Sequence, residues 1–307
     1  MVGAPHPGWC ASCRLWGHTL QGERMPFWND LRSSIGRLAQ EPPFRVMARA
    51  LLRHFPVSVA TRARWELSPR PEYLVGLVAA ATQSRRQGLS EFSAIEFGVA
   101  GGAGLLVLQE EGEAIERELG IRVRVYGFDM GETGLPDFIG DHRDHPDLWR
   151  PGDFPMDVAA LRARLAPRTT LVLGPVGRTV PRFVQEYGPP PIGFVAFDLD
   201  LYSSTRDALA LFRSPETPML WHVPLYFDDI EPFAGHRFAG ELLALEEFND
   251  FSDRVKIDRW HGIARDRPFP ERGFLERLFV AHDLAALAHV GLGRPRVALP
   301  LEPVGAA

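Results

Sequence analysis

Four acidic points punctuate this chain, Glu96, Asp129, Asp198 to Asp200 and Asp228/Asp229, and each stands at or just past the end of a short apolar run. The runs read as strands over residues 93–97, 122–128, 170–173, 193–197, 223–227 and 274–281, and helical patterns at 104–119, 156–165, 180–186, 204–212 and 236–249 lie between them. Such alternation implies βαβ units, a largely parallel sheet and helices on both faces. In an open α/β sheet, ligands bind in the crevice outside the carboxyl ends of the strands. Carboxylates collected there, with a glycine-rich turn after the first, mark a site.

A chain of 307 residues, 45% hydrophobic and 10% aromatic, has ample material for a packed core. Its formal charge of -5 argues against a general nucleic-acid binder, which would carry a basic face. The longest apolar candidate for a membrane span, residues 73–81, contains Gly76 and falls well short of the roughly 18 residues required. The N-terminal MVGAPHPGWCASCRLW has no basic segment followed by an apolar one, so no signal peptide is read and a cytoplasmic location is expected. Cys10 and Cys13 have C-x-x-C spacing, with His18 as a third metal-ligand candidate. No strand precedes them and no second pair follows, so they are read as thiols in a loose tail. Met25 is an alternative start, since the helical pattern begins just after it.

From Phe27 the apolar residues Leu31, Ile35 and Leu38, then Phe44, Val46, Met47, Leu51 and Leu52, recur at helical spacing, interrupted by Pro42 and Pro43. This lead-in reads as a lid or a homo-oligomer contact. A second helix fits residues 71–87, with Gly88 as its stop signal. The expected division is a tail and helical extension over 1–70 and one catalytic-size domain over 71–307. Residues 131–153 form a long polar, proline-punctuated loop, and loops of that length in compact domains are often functional. Its His142, His145 and Trp149 are candidates to touch a ligand, although packing accounts for each. His222, His236 and His261 are rival bases or structural histidines.

The segment AIEFGVAGGAG places Gly98, Gly101, Gly102 and Gly104 between a strand and an amphipathic helix. Glycines allow a sharp turn and close approach of a ligand to the backbone, and the helix start offers unpaired N–H groups. A dinucleotide fold would show G-x-G-x-x-G around a pyrophosphate. Here the spacing is G-x-x-G-G-x-G, and Glu96 before it suits a cation better than a phosphate. S-adenosylmethionine carries such charge on its ammonium and sulfonium groups, and Asp129 stands where a second-strand acid would accept ribose hydroxyls. At these residues the chain resembles a class I S-adenosylmethionine-dependent methyltransferase. The resemblance implies a Rossmann-like class I methyltransferase fold with a mostly parallel seven-stranded sheet. It also implies a cofactor held by Glu96, Gly98, Gly102 and Asp129.

PIGFVAFDLDLYSSTRDAL is the most specific stretch. Strand alternation would turn Asp198 and Asp200 to the same side, and Ser204 to Asp207 reads as a helix start with a capping-box pattern. The next strand ends in Asp228-Asp229, and adjacent strands about 5 Å apart would gather these carboxylates around one point. A hard divalent cation, Mg2+ above all, relieves such repulsion. Here the chain resembles the macrocin O-methyltransferase family through GFDMGETGLP, LVLGPVGRTVPRF, FDLDLYSST and YFDDIEPFAGHRFAGELLALEEF. That resemblance implies Asp198, Asp228 and Asp229 as Mg2+ ligands, Asp200 as general base, and a sugar or natural-product hydroxyl as acceptor. It departs from the family at Ala100 and Gly101, where a tryptophan and an arginine are usual, and at Arg178, where an aspartate is usual. Two rivals stand beside it: a metal-dependent nucleotide-sugar glycosyltransferase using the D-x-D, and a non-catalytic S-adenosylmethionine-binding protein.

Overall fold

The structure, a computed structural model, describes residues 43–231, 236–265 and 267–290. The expectations for Cys10, Cys13, His18, Met25 and the apolar pattern from Phe27 to Leu38 lie outside the described residues. Three helices lead in: α1 (Phe44–Leu52), α2 (Val59–Arg64) and α3 (Pro71–Arg86). Pro71 occupies the first turn of α3, where its missing N–H is no loss. The alternating body follows as β1 (Glu91–Phe97), α4 (Ala103–Leu119), β2 (Arg122–Asp129), α5 (Val158–Arg162), β3 (Thr169–Leu173), α6 (Val176–Tyr187), β4 (Ile192–Phe197), α7 (Tyr202–Leu209) and β5 (His222–Phe227). It closes with α8 (Gly240–Phe251), β6 (Val255–Arg259), β7 (Leu278–Asp283) and α9 (Leu284–Ala288).

The seven strands form one sheet in the order β3-β2-β1-β4-β5-β7-β6, parallel except for β7, which runs antiparallel to both neighbours. This is the Rossmann-like, mostly parallel seven-stranded sheet that was expected. The order reverses between β1 and β4, so their carboxyl ends open the crevice where such sheets bind ligands. Helices cover both faces, as strand alternation requires. A Cβ on Gly127 would press on Leu105 of α4, whereas Tyr126 and Phe128 on either side of it pack edge-on against Phe183 of α6.

Beneath the crevice lies a row of aromatic rings. Phe128, Phe97, Phe197 and Phe227 occupy matching positions on four adjacent strands, with ring centroids 4.8, 5.5 and 4.5 Å apart in turn, and Phe279 of β7 extends the row. All four are fully buried, each side chain worth about 1.5–3 kcal/mol by removal from water. Asp129, Asp198 and Asp228 each follow directly on one of these rings, so the apolar row is the floor of the acidic site.

Several local expectations are corrected. β6 was not foreseen: five residues, V-K-I-D-R, alternate weakly and leave their last two exposed at the sheet edge. The last strand begins at Leu278 rather than 274, because Gly273–Arg277 forms a 3₁₀ turn first. The Ser204 capping box does not form; α7 starts two residues earlier, and Thr205 Oγ1 donates to the Leu201 carbonyl at 2.9 Å. The helix start is satisfied instead by Asp144 of the long loop, which accepts from Ser203 N at 2.8 Å and from Ser203 Oγ at 2.9 Å. Among the described residues no helix is long and apolar enough to cross a membrane.

Candidate active site

Glu96 is the penultimate residue of β1, and alternation turns it away from the phenylalanine row toward α3 and α4. It is 1% exposed. Tyr73 of α3 donates its hydroxyl to Oε1 at 2.7 Å, whereas Oε2 is buried without a partner. Burial pushes its carboxyl up to about 8, against the opposing hydrogen bond from Tyr73. The first turn of α4 passes directly over this carboxylate, and a Cβ on Gly104 would stand 1.8 Å from Oε1.

Gly98, with φ +82°, presses its backbone against the next strand's turn, and a Cβ there would lie 1.6 Å from the Asp198 carbonyl oxygen. Gly98→Ala is therefore expected to lower stability by more than the roughly 1–3 kcal/mol of an unfavourable backbone region alone. An unchanged urea midpoint would refute this contact. Gly102, also at positive φ, caps α4 and faces Leu161; it does not line the cavity, as Gly98, Gly101 and Gly104 do.

Asp129 is more tightly engaged than the sequence suggests. Its Oδ2 accepts from Val99 N and Ala100 N, both at 2.9 Å, and its Oδ1 accepts from Gly131 N at 2.6 Å. Three of its roughly four acceptor positions thus staple the glycine turn to the loop after β2, leaving about one for a ligand.

On the other side of the switch point the sheet ladder continues one residue past each strand: Asp198 N donates to Phe97 O at 2.9 Å and Asp228 N to Phe197 O at 3.0 Å. This places Asp198, Asp228 and Asp229 so that one carboxylate oxygen from each lies within 4.8 Å of the others. Asp200 arrives differently from the expectation. β4 ends at Phe197, and a left-handed residue, φ +61° at Asp200, rather than strand alternation turns this residue toward the cluster. Its N–H donates to Asp229 Oδ2 at 3.2 Å.

Burial, then the neighbouring carboxylates, pushes Asp198 up to about 7, and Asp200 and Asp229 rise for the same causes. Tyr226 Oη and Arg277 Nη1 both donate to Oδ1 of Asp228, leaving its Oδ2 for another partner. Fully buried Glu241 of α8 accepts from Asp229 N at 3.0 Å and Leu199 N at 3.5 Å, bracing both acidic turns. Glu241 escaped the sequence reading, its one signal being an acid in the first turn of a helix.

Glu96, Asp129, Asp198, Asp200, Asp228 and Asp229 line one cavity of about 600 Å³, within the usual range for small-molecule sites. Leu135, Pro136 and Trp149 of the long loop, with Phe154 just after it, form an apolar part of its wall. Of the loop candidates only Trp149 lines it. His145 is buried against His236 at 5.4 Å between ring centroids. The rival bases stand elsewhere: His222 meets His282 at the opposite end of β5, Nδ1 to Nδ1 2.8 Å, and His261 is exposed beside Asp258. Arg70, which sequence reasoning passed over, lines the cavity beside Glu96 and Asp198.

No family model and no curated protein matches this chain. Among solved structures it is similar to CalS11, a calicheamicin methyltransferase, at 21% identity over 80% of this chain and 95% of that one, TM-score 0.46. It is similar to the O-methyltransferase NovP at 16% identity over 69% and 79%, TM-score 0.46. An O-methyltransferase from Bacillus cereus in complex with SAH aligns at 13% identity over 81% and 96%, TM-score 0.38.

Proposed function

We propose that the chain is an S-adenosylmethionine-dependent O-methyltransferase, assisted by Mg2+, acting on a hydroxyl of a sugar or natural-product acceptor. The observation that carries this reading is the meeting, in one cavity, of a buried glutamate with an unpartnered oxygen under a glycine turn and a cluster of aspartates one strand away.

The residues present fit both groups. Glu96 Oε2 offers a dry, uncompensated acceptor to an ammonium, and Gly101, with open space where a Cβ would stand, leaves the backbone accessible on the same cavity wall. When bound, the cofactor supplies an electrophilic methyl group. Asp198, Asp228 through Oδ2, and Asp229 form a hard oxygen donor set suited to Mg2+. Such an ion lowers the pKa of a coordinated hydroxyl. Asp200 lines the cavity beside the cluster and serves as the proton acceptor. Trp149 and Phe154 give the cavity an apolar wall, and alignment of the reacting atoms is the remaining requirement.

Calorimetry tests the reading. S-adenosylhomocysteine is expected to bind, and Glu96→Gln is expected to weaken it by about tenfold or more, the scale of a lost charge-assisted hydrogen bond. Because Glu96 must ionise to hold a cation and its carboxyl sits at about 8, affinity should rise from pH 6 to pH 8. Binding of UDP-sugars without binding of S-adenosylhomocysteine would replace the reading with a glycosyltransferase.

A further inference from the structure

We propose that the acceptor carries a protonated amine in addition to the hydroxyl that is methylated, and that Asp153, with Trp149 and Phe154, is the subsite that receives it. This rests on the function proposed above and goes further in naming the charge of the acceptor and the residues that read it.

Among the described residues, nine carboxylates and two guanidiniums line the cavity. Seven of the nine are accounted for: Glu96 and Asp129 on the cofactor side, Asp198, Asp228 and Asp229 at the metal, Asp200 as proton acceptor, and Asp207 in its ion pair with Arg206 at 2.8 Å. The two left over, Asp137 and Asp153, both come from the long loop. Neither pairs with a cation among the described residues, whereas Asp141 of the same loop is held by Arg143 at 2.8 Å. Asp153 is near enough to Asp200 for the two charges to repel. A divalent cation and a cofactor with one net positive charge leave the lining negative, so the remaining field favours a cationic acceptor over a neutral or anionic one.

A second, independent feature points the same way. Trp149 and Phe154 both line the cavity, with ring centroids 5.8 Å apart at 65°, and Phe154 directly follows Asp153 in the chain. Phe154 is 48% exposed and has φ +60°, a costly backbone for a bulky residue. Backbone bonds hold that turn in place: Leu135 N donates to Asp153 O and Gly152 N to Leu135 O, both at 2.8 Å. Arg150 N donates to Asp153 Oδ2 at 2.9 Å, which leaves Oδ1 without a partner among the described residues. A carboxylate next to two aromatic rings suits an alkylammonium, which gains a charge-assisted hydrogen bond and a cation–π contact together. A phenol or a neutral sugar would use the rings and leave Asp153 idle. Protonation also protects the chemistry, because an ammonium nitrogen has no lone pair and methylation is confined to oxygen.

Calorimetry on the protein saturated with S-adenosylhomocysteine and Mg2+ tests this with two probes of one ring: 6-amino-6-deoxyglucose, whose alkylamine is protonated at neutral pH, and glucose, which is neutral. The native protein is expected to bind the amino sugar about tenfold or more tightly than glucose, as for a charge-assisted contact. Asp153→Asn keeps the volume and an oxygen for Arg150 N. It is expected to bring the two affinities within about twofold of each other while glucose and S-adenosylhomocysteine bind as before, which also reports that the variant is folded. Equal native affinities for the two sugars, or no measurable binding of the amino sugar, overturns the amine subsite and leaves the cofactor assignment standing. A preference for the amino sugar that survives Asp153→Asn unchanged overturns it as well. Failure of the native protein to bind S-adenosylhomocysteine overturns the cofactor assignment and the subsite together.

Discussion

Asp200→Asn is expected to lower turnover by about 10²–10⁴-fold, the range associated with a positioned general base, while S-adenosylhomocysteine affinity stays within about twofold. The two readouts separate because Asp200 and Glu96 sit on opposite sides of the switch point. Asp200 touches the rest of the site through its backbone N–H on Asp229 Oδ2, and asparagine keeps that bond and the volume. One further constraint is steric: the residue has φ +61°, a region that asparagine and aspartate tolerate better than most L-residues. The exchange therefore removes the proton acceptor and little else. Turnover within a few-fold of the native rate would remove Asp200 as base, and a matching loss of cofactor affinity would make it a structural residue.

Without divalent cation, thermal stability is expected to fall as pH rises from about 5 to 8, and Mg2+ is expected to reverse the fall. The sign follows from linkage. Asp198 and Glu96 titrate at about 7 and about 8 in the folded protein, and Asp200, Asp229 and Glu241 are raised in the same direction by burial. In the unfolded chain these carboxyls ionise near 4. Between those limits the folded state holds more protons than the unfolded one, so stability declines with increasing pH. A cation that binds only the folded, ionised cluster adds stability by mass action, and more at pH 8 than at pH 5. Melting curves at the two pH values, with EDTA and with Mg2+, measure this directly. A metal-free melting temperature that climbs over this interval, or an equal Mg2+ increment at both pH values, would contradict the ion-binding role. Asp229→Asn should flatten the metal-free decline, since one raised group is gone.

Much of this arrangement is legible in local pattern. The repeated step from phenylalanine to aspartate at 128–129, 197–198 and 227–228 marks three strand ends, because an apolar run must stop where the chain leaves the sheet for water. The glycine turn after Glu96 is legible for the same reason. β6 was not, since a short strand at a sheet edge has one exposed side and little periodicity to betray it. The start of α7 was misplaced because its cap comes from Asp144, far along the chain, rather than from the residues beside it. Arg70 and Glu241 look like ordinary surface charges until α3 and α8 are docked; only then is one aimed into the cavity and the other enclosed beneath the acidic turns.

By itself the sequence determined the order of strands and helices from β1 to β5, the acids at the ends of β1, β2, β4 and β5, and the glycines that let a backbone come close. These depend on residue type and on periods of two and of three to four, which are local. The tertiary structure alone decided that β1 and β4 are neighbours, that three aspartate oxygens fall within 4.8 Å, and that Asp129 is largely occupied by backbone N–H groups. It also decided that the free oxygen of Glu96 shares a cavity with Arg70. Such facts follow from strand register, from a left-handed turn at Asp200 and from burial against distant helices. Their energies arise only when residues remote in the chain meet, and no short window of sequence contains them.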